Sequence, residues 1–258
     1  MNTSIHPTAI IEQGAQIGDD CTIGAYAYIG SQVVLGHGCT VMHHASVEGN
    51  TRLGSGNTIY PYAMIGGRSQ DLKFKGASAG LIVGDNNSFR EYSSAHEATD
   101  LDKPTIVGSN NNFLVGAHIA HDCIVGNNVV FSNYCCLAGH VEIGDRVIMG
   151  GLSGVHQFCR VGDYAMVGAM GKVVKDIPPY MIADGNPAET RTLNKIGLDR
   201  NGFSAEDISR IRSIFKLIYK SGLSREQVIE QIPLRPDAAD PVVANLLRFL
   251  SASHRGIG

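Results

Sequence analysis

A six-residue period runs through most of this chain, and no other feature restricts its fold as much. Taking every sixth residue from Ile5 gives Ile5, Ile11, Ile17, Ile23, Ile29, Leu35, Val41, Val47, Leu53, Ile59 and Ile65. About a quarter of the chain is Ile, Leu or Val, so chance yields such a run at about 10⁻⁷. The series pauses at residues 67–80, resumes at Val83, Phe89 and Ala95, and pauses again near residues 98–106. It then runs through Val107, Phe113, Ile119, Val125, Phe131, Leu137, Ile143, Met149, Val155, Val161, Val167 and Val173. Four residues beyond the aliphatic a small residue recurs, as at Ala9, Ala15, Cys21, Ala27, Cys39, Ala45, Ala117, Cys123, Cys135, Cys159 and Ala165. Glycine often follows the aliphatic directly.

One geometry accounts for these signals. Each hexapeptide is a short extended segment and a turn. The branched side chain fills the interior, the small residue fits where the chain turns inward, and glycine tolerates turn dihedrals. Three sides close a triangular coil of 18 residues, and coils stack at about 4.8 Å. The expected fold is an all-β solenoid, each coil pairing only with its neighbours.

Composition narrows the setting. The chain carries 21 basic and 24 acidic residues, which gives no electrostatic case for a nucleic-acid partner. The start, MNTSIHPTAIIEQGAQ, has neither the basic opening nor the apolar stretch of a signal peptide. No window reaches the roughly 18 apolar residues of a spanning helix. A cytoplasmic protein with reduced cysteines is expected. Cys21, Cys39, Cys123, Cys135 and Cys159 take the small inward position and read as buried small hydrophobes; Cys136 falls outside it and has no assigned role.

After Val173 the run KDIPPYMIADGNPAE reads as a linker, because prolines cannot donate to a ladder. The solenoid domain is placed at residues 1–190 and a helical domain at 191–258. Ser204 with Asp207 reads as a capping box ahead of Ile208, Ile211, Phe215 and Ile218, with Gly222 as the stop. Ser224 with Gln227 opens a second helix, and Asp240–Pro241 opens a third bearing Val243, Leu246, Leu247 and Leu250. This domain is expected to cover the open end of the stack.

Interior positions are apolar, so chemistry must face outward. In the run Gly116–Cys123, His121 and Asp122 are outward turn positions. Adding one coil maps His121 to Gly139, beside His140; adding another maps it to Gln157, beside His156. His121, His140, His156 and Gln157 are thus expected in one column, with His118 on the preceding side. Two chemistries fit converging imidazoles: zinc binding, as in a hydratase, or general base catalysis. Asp122 can orient or polarise such a site. Gln70, Asp71 and Lys73 in the first insertion and Arg200 in the tail suit a substrate with hydroxyls and phosphates.

The segments IHPTAI, SQDLKF, HIAHDC, LAGHV, GVHQFCRVGDYAMVG, DIPPY, GNPA and GFS resemble the UDP-N-acetylglucosamine 3-O-acyltransferase family over essentially the whole chain. That resemblance implies a left-handed parallel β-helix, a homotrimer with sites between subunits, and the first step of lipid A biosynthesis. It implies acyl carrier protein as acyl donor, a UDP-sugar acceptor, and neither cofactor nor metal. It implies His121 as general base and the Gly139 N–H as oxyanion donor. Asp71, His118, His140 and Gln157 would hold the sugar and pyrophosphate. Gln70 would contact the acyl 3-hydroxyl beside Lys73 and His156, Asn194 and Arg200 would hold the nucleotide, and Ala169 would limit acyl length. The chain departs from the family's usual pattern at Glu97 and Ile196. Transfer from coenzyme A thioesters and a zinc hydratase are the alternative readings.

Overall fold

The computed structural model describes residues 3–258. Its strands form three parallel walls of eleven, nine and eight strands, the walls of a triangular solenoid. Each two-residue strand presents one aliphatic inward and one residue outward. Register confirms the stacking period: Ile119 pairs with Leu137 and Leu137 with Val155 on the second wall. The interior is a continuous apolar column, in which the Phe89 and Phe113 rings stack at 4.8 Å and Phe113 meets Phe131 edge to face at 5.2 Å. Ile5, an expected interior residue, is 47% exposed because no described coil stacks before it.

The corners follow a single rule. Three residues past the inward aliphatic the backbone takes the left-handed conformation, at non-glycine residues such as Tyr26, Tyr62, Asp122, His140, Phe158 and Tyr164. In three coils the small inward residue is replaced by asparagine. Asn57 Oδ1 accepts from the Asn87 backbone and side chain, at 3.0 and 2.9 Å. Asn87 Oδ1 accepts from Asn111 N at 2.9 Å, and Asn111 Oδ1 from Val129 N at 2.7 Å. These amides give buried turn N–H groups the partners they require.

The insertions differ slightly from expectation. The first leaves the wall after strand Met64–Gly67 and rejoins at Leu81–Val83. The second is shorter than the expected 98–106, because strand Thr105–Val107 has already resumed there.

The expected linker is instead a hairpin. Strand Met181–Gly185 extends the first wall, and Ala188–Leu193 returns antiparallel to it, past the expected boundary at 190. Its prolines do not break this ladder: Pro187 lies between the paired strands, and Pro178 and Pro179 precede them. Four helices follow: α1 (Lys195–Arg200), α2 (Ala205–Lys220), α3 (Arg225–Gln231) and α4 (Pro241–Ser251). The capping boxes at Ser204 and Ser224 are present, and Asp240 caps α4. Helix α1 was not expected.

The helices pack on Tyr180, Met181 and Leu193. A buried carboxylate pins them down: Asp176 accepts from Arg160 N at 2.9 Å and from Ser253 Oγ at 2.7 Å. Unlike Ile5, the last aliphatics Val167 and Val173 are fully buried. No helix of the described residues is long and apolar enough to cross a membrane.

Candidate active site

The corner between the second and third walls carries the histidines, in neighbouring rows rather than the single expected column. His121, Gly139 and Gln157 share the middle turn position. Asp122, His140 and Phe158 occupy the left-handed position, with φ of 59°, 61° and 64°. His156 sits one residue earlier, above Ala138 and Ala120. His118 lies on the wall itself, in an outward row with Cys136, Gly154 and Lys172. That row gives Cys136 its place: it faces outward beside the histidines.

His121 is fixed at one nitrogen. Its Nδ1 lies 2.7 Å from Asp122 Oδ2 and 3.3 Å from Thr99 Oγ1, which leaves Nε2 free. Asp122 is almost wholly buried. Its Oδ1 accepts from the N–H groups of Thr99 and Asp100, both at 3.0 Å, and its own N–H donates to Thr105 Oγ1 at 2.8 Å. Burial alone would raise the Asp122 carboxyl. Hydrogen bonds from Asp100, His121 and Thr99, with His140 nearby, outweigh it and hold the group below the usual carboxylate range. An ionised carboxylate therefore stands behind His121 near neutral pH.

The rings of His121 and His140 meet edge to face at 5.4 Å, and His140 stacks on Phe158 at 4.6 Å. His118 is pushed down to about 4 by burial and by the neighbouring His96 and His121. It is therefore a neutral imidazole near pH 7, hydrogen-bonded to Ser94 at 2.9 Å.

Gly139 is glycine for reasons of space. A Cβ there would lie 2.7 Å from His121 Nε2 and displace the ring. Its N–H donates to no backbone carbonyl among the described residues, whereas His140 N and Ala138 N both do.

The two insertions meet at this corner. Ser69 Oγ lies 2.7 Å from Thr99 Oγ1 and accepts from Asp71 N at 3.2 Å; Asp71 Oδ1 accepts from Lys73 N at 2.9 Å. Ligand atoms of Asp71, His121 and His140 lie within 4.8 Å of one another. A cavity of about 460 Å³ is lined by Gln70, His118, Ala120, His121, Cys136, Leu137, Ala138, Gly139, Gly154, Val155, His156 and Lys172. Arg255 from the tail reaches His156 at 3.3 Å.

Some expected site residues stand elsewhere. Lys73 is exposed beside the cleft. Ala169 is exposed at the opposite edge of the second wall, in the turn entering strand Lys172–Val173. Asn194 is buried and caps α1: its Oδ1 accepts from Gly197 N at 3.1 Å and its Nδ2 donates to Tyr164 O at 2.9 Å. Its amide is thus committed to the fold. Arg200 is exposed at the end of α1, outside the lining of the cleft. Glu97 turns away from the cleft, with its carboxyl beside Gly49. Burial raises that group, partly offset by the Asn50 N–H and Arg68. In a smaller cavity of about 180 Å³ beside α4, Arg160 pairs with Glu142, and Asp163 accepts from the Asn245 side-chain amide.

Comparison with known proteins places this arrangement. Residues 176–258 match the family described as UDP N-acetylglucosamine O-acyltransferase, domain 2, and residues 1–31 match the bacterial transferase hexapeptide family. The acyl-[acyl-carrier-protein]–UDP-N-acetylglucosamine O-acyltransferase of Burkholderia orbicola is 46% identical over 259 residues, covering 99% of both chains. This chain belongs to the UDP-N-acetylglucosamine O-acyltransferase family. The family's enzyme from Paraburkholderia phymatum is 46% identical, covering 98% of both chains. The crystal structure of the Moraxella catarrhalis UDP-N-acetylglucosamine O-acyltransferase superposes with TM-score 0.94 at 39% identity, covering 98% of each chain. The Bacteroides fragilis family member also reaches 0.94 at 39%, covering 98% of this chain and 99% of its own.

Proposed function

We propose that this protein transfers an (R)-3-hydroxyacyl group from acyl carrier protein to the 3-position of UDP-N-acetylglucosamine, the first step of lipid A biosynthesis. The observation that carries this reading is His121, held at Nδ1 by buried Asp122, next to Gly139, where a Cβ would meet the imidazole and whose N–H has no backbone acceptor among the described residues. His121 Nε2 takes the proton of the sugar hydroxyl as its oxygen attacks the thioester carbonyl. The tetrahedral oxyanion accepts from the Gly139 N–H. Collapse breaks the C–S bond, and the departing sulfur takes the proton back from His121. Asp122 keeps the ring oriented and stabilises the imidazolium between these steps.

The remaining contacts follow the same reading. Asp71, His118, His140 and Gln157 hold the sugar and pyrophosphate; Gln70 meets the acyl 3-hydroxyl, with Lys73 and His156 alongside. Arg200, outside this subunit's cleft, serves the nucleotide of a neighbouring subunit in a homotrimer, on an α1 that Asn194 caps. An exposed ridge of Tyr62, Tyr92, Tyr134, Leu152 and Met170 supports self-association. Six unpaired cysteines fit a cytoplasmic setting.

Mass spectrometry of the product tests this reading. The protein is given 3-hydroxyacyl carrier proteins of graded length with UDP-N-acetylglucosamine or its 3-amino analogue. A singly acylated UDP-sugar is expected, with an optimum at roughly 10–14 carbons; with the acyl chain running across the second wall to the edge where Ala169 stands exposed, Ala169→Gly moves that optimum to longer chains. Turnover only with coenzyme A thioesters, or none with either donor, would contradict it.

A further inference from the structure

We infer that Asp71, His121 and His140 form a binding site for a borderline divalent transition metal of the zinc type, and that metal bound there blocks acyl transfer. The blocking half rests on the general base role proposed for His121; the binding half does not.

The three side chains come from separate parts of the chain: the first insertion and two successive coils. Their candidate ligand atoms nevertheless fall within 4.8 Å of one another. A tetrahedral zinc with ligands at about 2.0–2.2 Å needs those atoms about 3.3–3.5 Å apart. The remaining gap is a side-chain adjustment, and the Asp71 side chain is only partly buried. The donor set, two imidazoles and one carboxylate, is the type that holds zinc while leaving a fourth position open.

A second observation is independent of that clustering. The Asp122 carboxylate lies 2.7 Å from His121 Nδ1 and itself accepts from the N–H groups of Thr99 and Asp100. A buried carboxylate behind a liganding imidazole fixes the ring and raises its basicity toward a metal. The device that prepares His121 Nε2 to take a proton prepares it equally to take a cation. Metal and proton compete for one lone pair, so occupancy removes the base.

The test starts with protein stripped by a chelator. Zn²⁺ alone is titrated calorimetrically, and Co²⁺ is added separately to read ligand-field absorption. One equivalent per chain is expected, with affinity falling at least about 10-fold in Asp71→Asn and in His140→Ala. Acyl transfer should fall in step with Zn²⁺ occupancy and return on chelation. Absence of stoichiometric binding, or binding unchanged in both variants, overturns the site. Full turnover at full occupancy overturns the blocking. Activity of the stripped protein is measured first, so a failure of the proposed reaction is seen separately from a failure of the metal site.

Discussion

The imidazoles of the cleft differ in what surrounds them. His121 has an anion behind it and an open front. Among the described residues His118 bonds to Ser94 and lies against the rings of His96 and His121, with no carboxylate partner. With a folded value near 4 against an ordinary 6.5, the folded state favours its neutral form. Its contribution to stability is therefore complete above about pH 6.5 and is lost as pH falls toward 4. Replacing it by a residue that does not titrate removes this loss. In thermal melts between pH 7 and 4.5, the Tm of His118→Gln minus that of wild type should become more positive as pH falls. A difference that stays constant with pH would count against a depressed His118.

At the scale of the element, each hexapeptide repeats one environment, which is why the period was legible without coordinates. Adding 18 to His121 locates Gly139 and Gln157 correctly because no insertion interrupts those coils. The mapping fails where register is broken. Glu97 precedes the second insertion, and nothing in its local sequence says that it turns toward Gly49. Helix α1 has only six residues and no apolar period; its one signal is a capping Asn, which reads equally well as a ligand. The hairpin was hidden by prolines that lie outside its ladder.

The asparagine steps leave no sequence signal of their own, because Asn57, Asn87 and Asn111 occupy positions that other coils fill with Ala or Cys. Their amides bond the turn of the next coil within an apolar core. Asn87→Leu would leave the Asn111 N–H without its acceptor and would remove one of the two donors to Asn57 Oδ1. A loss of about 1–3 kcal/mol in denaturant unfolding is expected. A variant as stable as wild type would show that these bonds add nothing to the stack.

In the whole molecule, the solenoid supplies a rigid ridge and the helices seal one end of it. The cleft is open on the side away from the wall, and Arg200 stands outside it. If neighbouring subunits complete each other's sites, two inactive variants should rescue one another. Mixed trimers assembled from His121→Ala and Arg200→Ala chains should recover part of the activity that neither homotrimer shows, because some interfaces then carry both native residues. No recovery in verified mixed trimers would place the whole site within one chain. That His121 moves the proton is tested most directly by the single-turnover rate of His121→Ala with saturating carrier-protein thioester and UDP-sugar. A fall of at least about 10²-fold with the fold kept is expected; a rate near that of wild type would show that another group moves the proton.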